Sequence, residues 1–346
     1  MNRPETHDRA VVKSAVMVLP GGTTWRTIAP AVAEAPHLLS AVAAASPTEI
    51  WVAGHAGQQP LLARWDGSSW VVPPGPEPEA ALVGAGIQGI ALTAGPVRAI
   101  AVGGGYDRLG GTEVPLIRHW NGSSWSAPET PEPASDCVLT DVTAAGVGAW
   151  AVGHGFTWGS AGPVALHWSG TDWRAAAMPQ ITKGKLLAVS ATGPDDVWAV
   201  GADDRAGLIM HYDGRAWTRV PCPSTRFPLT DVIAIAPNEA WAVGRDRVLH
   251  WNGRKWKRVK APITAANTIT ATGPGDVWVA GGHGELAHYD GHGWTVTASP
   301  QPMGDSTVWL ASASLPDGVC MVGSHQVVRT GTVDAEPPIR AQSSDN

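Results

Sequence analysis

A seven-residue phrase recurs along the chain and restricts its fold more than any other feature. It reads HYDGRAW at residues 211–217, HWNGRKW at 250–256 and HYDGHGW at 288–294. Seven copies of its ending, Gly-x-x-Trp, lie at this repeat position, with the tryptophan at Trp25, Trp70, Trp125, Trp173, Trp217, Trp256 and Trp294. An apolar run that ends in glycine also occurs seven times, at Gly54, Gly103, Gly153, Gly201, Gly244, Gly281 and Gly323. These glycines are 37 to 50 residues apart, a period typical of the blades of a β-propeller.

Each repeat predicts four short strands. In the fourth repeat, LLAVSA, VWAVG, LIMHY and RAWTRV alternate with turn-forming segments such as TGPDD and DG. Proline pre-sets the backbone of a turn and glycine adopts positive φ at little cost, so both residues mark reversals of the chain. Seven such units predict an all-β fold, a seven-bladed β-propeller with four-stranded antiparallel blades.

The last repeat lacks its Gly-x-x-Trp ending, and one copy of that ending lies at the opposite end of the chain, at Trp25. We therefore expect the N-terminal strand, residues 16–28, to complete blade seven and close the ring. A single propeller domain would span residues 14–333. A flexible N-terminal tail (1–13) and a disordered C-terminal tail (334–346) would flank it.

Composition excludes several classes of protein. Charged residues make up 16 % of the chain, and the net charge is −6, which argues against nucleic-acid binding. No apolar run is long enough for a transmembrane helix. Cys137, Cys222 and Cys320 are odd in number and widely spaced, which favours reduced structural thiols. We expect a cytoplasmic monomer that needs no cofactor.

The pattern DVWAVG followed by hWDGxxW resembles the propeller repeats of the Asp-box (BNR-like) group and, more loosely, kelch-type repeats. The resemblance covers residues 16 to 331, although the leading serine of the Asp-box is absent and most repeats lack the paired glycine of kelch repeats. It implies a propeller and no particular activity, because propellers support many functions. The tyrosine nucleophile and arginine triad of sialidases have no counterpart here, and neither has the copper site of galactose oxidase.

Two groups of histidines occupy repeat positions. One lies on the predicted third strands, at His119, His167, His211, His250 and His288. One histidine per blade places these rings on a wide circle, so we expect them to be structural. The other group follows the second-strand glycine, at His55, His154, His283 and His325. It is a weak candidate for a metal site, since Zn²⁺ needs three or four converging ligands.

The loops after the second strands are longer in repeats two to four than in repeats five and six. Loops on a rigid scaffold commonly carry function, so these insertions predict a ligand-binding surface, although tolerated insertions would have the same pattern. The candidate ligand-binding residues are Tyr106, Asp107, Arg108, His154, Trp158, Asp204 and Arg205.

Acid–base residues are a second possibility. Asp141 and Asp231 share an LTDV segment at the start of predicted innermost strands, where they would face the axial funnel or cap a turn. Carboxylates and imidazoles near such a funnel could transfer protons. The candidate catalytic residues are His55, His154, Asp203, His325, Asp141 and Asp231.

The segment RDRVLHWNGRKWKRVK, residues 245–260, contains seven basic residues. It is either a solvated blade edge or a docking site for an anionic partner.

Two functional hypotheses follow from the sequence. The first is a scaffold that binds a protein, peptide or small ligand through the loop face of blades one to four. The alternative is a lyase, hydrolase or cyclase with His and Asp residues in the axial funnel. The Ala/Gly/Pro-rich composition associates such an enzyme with bacterial secondary metabolism.

Overall fold

The computed structural model of the protein describes residues 16–18, 23–28, 37–76, 82–131, 136–156, 162–181, 183–204, 207–297, 308–316, 318–323 and 326–332. The predicted tails, 1–13 and 334–346, lie outside these ranges. The described residues form 29 strands and one 3₁₀ turn, Gly282–Gly284. Among them there is no helix with the length and apolar character needed to span a membrane.

Two strands precede the repeats, β1 (Val16–Val18) and β2 (Thr23–Ile28). Blade 1 contains β3 (His37–Ser46), β4 (Glu49–Ala56), β5 (Gln59–Trp65) and β6 (Trp70–Val71). Blade 2 contains β7 (Leu82–Leu92), β8 (Ala99–Asp107), β9 (Thr112–Trp120) and β10 (Trp125–Ser126). Blade 3 contains β11 (Cys137–Ala145), β12 (Gly148–Gly155), β13 (Pro163–Trp168) and β14 (Trp173–Ala175). Blade 4 contains β15 (Lys185–Gly193), β16 (Asp196–Ala202), β17 (Gly207–Tyr212) and β18 (Trp217–Arg219). Blade 5 contains β19 (Leu229–Ala236), β20 (Glu239–Gly244), β21 (Arg247–Trp251) and β22 (Trp256–Val259). Blade 6 contains β23 (Ala266–Gly273), β24 (Asp276–Gly281), β25 (Leu286–Tyr289) and β26 (Trp294–Thr297). Three strands follow, β27 (Trp309–Leu315), β28 (Gly318–Gly323) and β29 (Gln326–Thr332).

The all-β propeller architecture is confirmed, but the predicted number of four-stranded blades is wrong. Six sheets are four-stranded antiparallel blades, not seven, and no single strand over residues 16–28 completes a seventh. Residues 16–28 instead contribute two strands, β1 and β2, which pair with each other from Val16↔Arg26 to Val18↔Thr24. The sequence between them contains Pro20, Gly21 and Gly22, which interrupt a strand pattern. The sheet at the chain ends is therefore five-stranded, in the order β1-β2-β29-β28-β27.

Tryptophan side chains fill the gaps between neighbouring blades. Trp51, on the second strand of blade 1, meets Trp120 and Trp125 of blade 2 edge-to-face at ring-centroid distances of 5.1 and 5.3 Å. The same contact recurs between Trp198 of blade 4 and Trp256 of blade 5, at 5.2 Å. Aromatic rings bury a large apolar area and favour this geometry. The repeated tryptophans are thus the main packing residues between blades.

A β-bulge explains the glycine that recurs in each second strand. The innermost strands of the six blades all shift register at the same repeat position, for example between Leu186 and Ala188. The shift brings a carbonyl group of the innermost strand close to the glycine. A Cβ added to Gly201 would lie 2.0 Å from the Lys185 oxygen. Backbone packing, and not chain flexibility, therefore requires glycine here.

Candidate functional site on the loop face

The long loops share one face of the propeller. The strands of each blade are antiparallel, so the innermost strand begins on the face where the second strand ends. The loops between second and third strands therefore lie beside the connections between blades. We call this side the loop face.

Blade 2 has the second strand that extends furthest beyond its glycine among the strands described for the six blades. Its second strand, β8, continues for four residues beyond Gly103, to Asp107, while β20 of blade 5 stops at its glycine. At about 3.3 Å per residue this extension adds roughly 13 Å. β7 and β9 pair with it along its length, as far as Leu82↔Asp107 and Asp107↔Thr112. We call this three-stranded extension, residues 82–86 and 104–115, the blade 2 wall.

The tip of the wall is an ordered turn that exposes an apolar side chain. The Asp107 carboxylate accepts a hydrogen bond from the Leu109 N–H (2.9 Å), and the Asp107 carbonyl accepts one from the Gly111 N–H (2.8 Å). Gly111 has a φ of +69°, which favours glycine. Leu109 is 91 % exposed, and Tyr106 just below it is 43 % exposed. The turn thus holds a leucine side chain in solvent.

Side chains from both neighbouring blades hold the wall. Gln58 of blade 1 accepts a hydrogen bond from the Gly84 N–H at 2.7 Å. On the other side, the carboxylate of Asp136 accepts one from the Glu113 N–H at 3.1 Å. Burial, followed by the negative charge of Asp136, raises the pKa of Glu113. Contacts on both sides indicate a positioned structure and argue against a merely tolerated insertion.

Blade 3 continues the same surface. The Phe156 N–H donates to the Asp136 carbonyl at 3.0 Å, and the ring is 44 % exposed. The His154 ring lies 4.8 Å from it. Burial, followed by the positive charge of Lys185, lowers the pKa of His154, which favours the neutral imidazole. Its Nδ1 is buried and has no hydrogen-bond partner among the described residues.

Those of the remaining predicted loop residues that the structure describes do not converge on one another. His55 Nδ1 lies 3.2 Å from the Gly57 carbonyl oxygen of its own turn. Asp203 accepts a hydrogen bond from Arg219 at 2.5 Å, and Asp204 forms an ion pair with Lys183 at 3.8 Å. Arg108 is exposed, whereas Trp158, Arg205 and His325 lie outside the described residues.

The histidines that follow the second-strand glycines are the weak candidates for a metal site. In the part of the chain that the structure describes, no group of three or more His, Cys, Asp or Glu residues could hold an ion. His283 is exposed in the 3₁₀ turn, with a φ of +56°. His325, the fourth candidate, falls outside those residues.

The third-strand histidines of blades 4 to 6 bond within their own blades on the opposite face. Their Nε2 atoms lie 2.7 Å from Asp196 (His211), 2.8 Å from Glu239 (His250) and 2.6 Å from Asp276 (His288). Each ring also packs on the second-strand tryptophan, for example His288 on Trp278 at 4.2 Å. In blade 2, Trp173 Nε1 donates to His119 Nε2, and burial lowers the pKa of this histidine to about 4.

Asp141 and Asp231 lie in the wall of the axial cavity, which has a volume of about 540 Å³. Each carboxylate joins two blades. Asp141 accepts hydrogen bonds from the Val142 N–H and from the Val189 N–H of blade 4, both at 2.8 Å. Asp231 accepts hydrogen bonds from the N–H groups of Val232 (2.7 Å) and Ile269 of blade 6 (2.9 Å). Burial raises the pKa of Asp141 to about 8 and that of Asp231 to about 6.

Sequence reasoning missed four residues of the loop face: Leu109, Phe156, Gln58 and Asp136. For Leu109, an apolar residue within a turn-rich insertion was an available signal. The roles of Gln58 and Asp136 depend on contacts between blades, which no local pattern indicates.

Comparison with known proteins identifies the fold and no family. No family model matches the chain, and no curated protein does, so neither an Asp-box nor a kelch assignment follows. Solved propellers are similar in structure. YCF48 bound to D1 peptide has a TM-score of 0.60 at 15 % identity, with 94 % of this chain and 100 % of that chain covered. The WD40 propeller domain of Doa1 has a TM-score of 0.63 at 10 % identity, with 90 % and 97 % covered. Virginiamycin B lyase from Staphylococcus aureus, solved with quinupristin, has a TM-score of 0.66 at 9 % identity, with 90 % of this chain and 100 % of that chain covered.

Proposed function

We propose that the protein is a binding scaffold that holds a protein or peptide segment on its loop face, at the blade 2 wall and the adjoining part of blade 3. The observation that carries this proposal is the ordered presentation of apolar side chains by Tyr106, Leu109 and Phe156. Large apolar side chains at interface centres contribute much of the binding energy of protein complexes. A wall held from both sides loses little conformational entropy on binding.

The structural comparison supports this class of function. One similar propeller, YCF48, is solved with a peptide bound. Its identity to this chain is too low to transfer a partner, so the proposal rests on the residues of the loop face.

The axial cavity supports the enzyme hypothesis less well. Both oxygens of Asp141 accept backbone N–H groups, and so do both oxygens of Asp231. A general acid or base must transfer a proton to a substrate within hydrogen-bonding reach. Carboxylates engaged in joining strands are poorly placed for that role.

Peptide selection tests the proposal. A displayed library of random peptides is selected on the immobilised full-length protein, and the dissociation constants of the recovered peptides are measured by calorimetry. We expect Leu109→Ser and Phe156→Ser each to weaken binding at least about tenfold, as expected for the removal of an apolar anchor. Val147→Ser is the matched control, because Val147 is 69 % exposed in the β11–β12 turn of the opposite face. Peptides that bind all three variants equally, or no recovered peptides, would overturn the proposal.

A further inference from the structure

A cleft with a basic wall lies on the outer part of blade 5, away from the blade 2 wall. It has a volume of about 450 Å³ and is formed by β21, β22 and the connection to blade 6. Its charged residues are Arg247, Arg258, Lys260 and Asp246, and Val248 and Ile263 contribute apolar surface. This volume lies within the range of pockets that bind ligands.

Arg247 occupies a repeat position that is apolar in blades 1 to 4. The residue paired with the second-strand glycine is Leu61 in blade 1, Leu116 in blade 2, Val164 in blade 3 and Leu208 in blade 4. The three leucines are buried. In blade 5 the residue opposite Gly244 is Arg247. A guanidinium thus replaces an apolar packing residue in the wall of the cleft.

The cleft contains polar atoms that protein groups do not satisfy. Asp246 holds Arg247, whose Nη1 lies 2.7 Å from the Asp246 carboxylate and 2.6 Å from the Asp246 backbone carbonyl. Arg247 Nε and Asp246 Oδ1 are nonetheless buried, with no hydrogen-bond partner among the described residues. Unsatisfied buried polar atoms are costly, so Arg247 Nε favours a ligand oxygen that accepts its hydrogen, whereas Asp246 Oδ1 needs a donor such as water.

The outer strands of blades 4 and 5 have an arginine at the same position, but the two arginines differ in their ion pairing. Arg219 pairs with Met210 in blade 4, and Arg258 pairs with Leu249 in blade 5. Arg219 donates to Asp203 at 2.5 Å. In blade 5 the nearby acid, Asp246, is engaged by Arg247 instead. Within the described ranges, neither Arg258 nor Lys260 forms an ion pair.

We propose that this cleft binds a carboxylate side chain of an acidic peptide segment in a partner protein. Residues 245–260 contain seven of the 24 Lys and Arg residues, in a chain whose net charge is −6. An acidic segment is therefore repelled by most of the surface and attracted here. Arginine binds carboxylates through a planar pair of donors, and the aliphatic walls suit the side chains that flank a carboxylate. The single acid, Asp246, disfavours a doubly charged phosphate.

This site is separate from the loop face, so a negative result here would leave the proposed function unaffected, and the reverse also holds. The probe is a fluorescein-labelled peptide of alternating Glu and Leu, and the reference is the same peptide with Gln in place of Glu. Binding to the full-length protein is measured by fluorescence anisotropy at two salt concentrations. We expect the Glu peptide to bind at least about tenfold more tightly than the Gln peptide, consistent with charge-assisted hydrogen bonds. Added salt should weaken its binding.

The variants assign the binding to the cleft. Arg258 and Lys260 are exposed, so Arg258→Ser with Lys260→Ser should fold, which thermal unfolding verifies. This double variant should lose at least about tenfold in affinity for the Glu peptide. Arg219→Ser, the matched variant in blade 4, and Val147→Ser, at an exposed position on the face opposite the loops, should both bind as the wild type does.

Three outcomes would overturn the proposal. Equal binding of the Glu and Gln peptides would show that the cleft does not recognise the carboxylate group. If Arg219→Ser lost as much affinity for the Glu peptide as the double variant does, the effect would come from net charge and not from the cleft. Displacement of the peptide by inorganic phosphate at lower concentrations than by acetate would make the cleft a phosphate site instead.

Discussion

The carboxylate of Asp136 accepts a hydrogen bond from the backbone N–H of Glu113 at 3.1 Å, and this contact joins blade 3 to the blade 2 wall. The backbone carbonyl of Asp136 also accepts the Phe156 N–H. One residue therefore positions both parts of the proposed binding surface.

We predict that Asp136→Ala loosens the wall without unfolding the propeller. A hydrogen bond of this kind contributes about 1 kcal/mol, so protection of the Glu113 amide against hydrogen exchange should fall about fivefold. Amides of blade 5 serve as the internal control, because they lie far from the substituted residue. Loss of protection throughout the protein would contradict this local role.

The glycine that lies against the β-bulge in each second strand should be indispensable. We expect Gly201→Ala to lower the free energy of unfolding by about 3 kcal/mol or more, because its Cβ would lie 2.0 Å from the Lys185 oxygen. Gly193→Ala is the matched control in the same blade. No atom lies within 4 Å of its added Cβ, so the change should be about 1 kcal/mol or less. Urea unfolding measures both variants, and equal stabilities would refute the packing argument.

The repeat pattern predicted the architecture because its signals are local. Asp213 and Gly214 form a hairpin turn in which Gly214 has a φ of +86°, and Tyr212 pairs with Trp217 across it. Such turns depend on a few consecutive residues. The blade count was wrong because a copy of Gly-x-x-Trp does not reveal how its segment pairs. Residues 16–28 form two strands of a five-stranded sheet, and their pairing with β29 joins opposite ends of the chain.

The candidate site was only partly predictable, for the same reason. Loop length drew attention to Tyr106 and His154, which lie on the loop face. The residues that hold the wall act across blade boundaries, with Gln58 and Gly84 separated by 26 positions and Glu113 and Asp136 by 23. The bulges likewise direct Asp141 and Asp231 toward the N–H groups of the next blade, a direction that single-strand periodicity does not specify.

Blade 6 should lose stability in acid through its Asp276–His288 contact. The hydrogen bond from His288 is the largest cause that lowers the pKa of Asp276, with burial acting against it. A folded pKa below the unfolded value means that the stabilisation is present above about pH 4 and is lost as the pH falls through the folded pKa. Asp276→Asn should therefore cost about 1 kcal/mol at pH 7, after allowance for partial exposure, and much less in acid.

Chemical unfolding at several pH values measures this difference. Glu129→Gln removes an exposed carboxylate and should change stability little at any pH. A cost of Asp276→Asn that stays constant down to the most acidic pH would rule out the ionised contact as its source.

The opposite pH dependence should arise from the carboxylates of the axial cavity. Burial raises the pKa of Asp141 to about 8, against the opposing effect of its backbone hydrogen bonds. The pKa of Asp231 is raised to about 6. Between the unfolded and folded pKa values the folded protein binds more protons than the unfolded chain, so stability decreases as the pH rises. One such group contributes a slope of up to about 1.4 kcal/mol per pH unit.

Between pH 6 and 8 this decrease should come mainly from Asp141. Asp141→Asn should remove it, so that unfolding free energy changes less over this interval than in the wild type. The variant should also be less stable at pH 6 by about 1 to 3 kcal/mol, because the amide nitrogen cannot accept one of the two backbone N–H groups. Asp204→Asn, at an exposed position, is the control. Urea unfolding across this interval provides the measurement. An unchanged slope in Asp141→Asn would mean that Asp141 is ionised throughout and that its hydrogen bonds outweigh its burial.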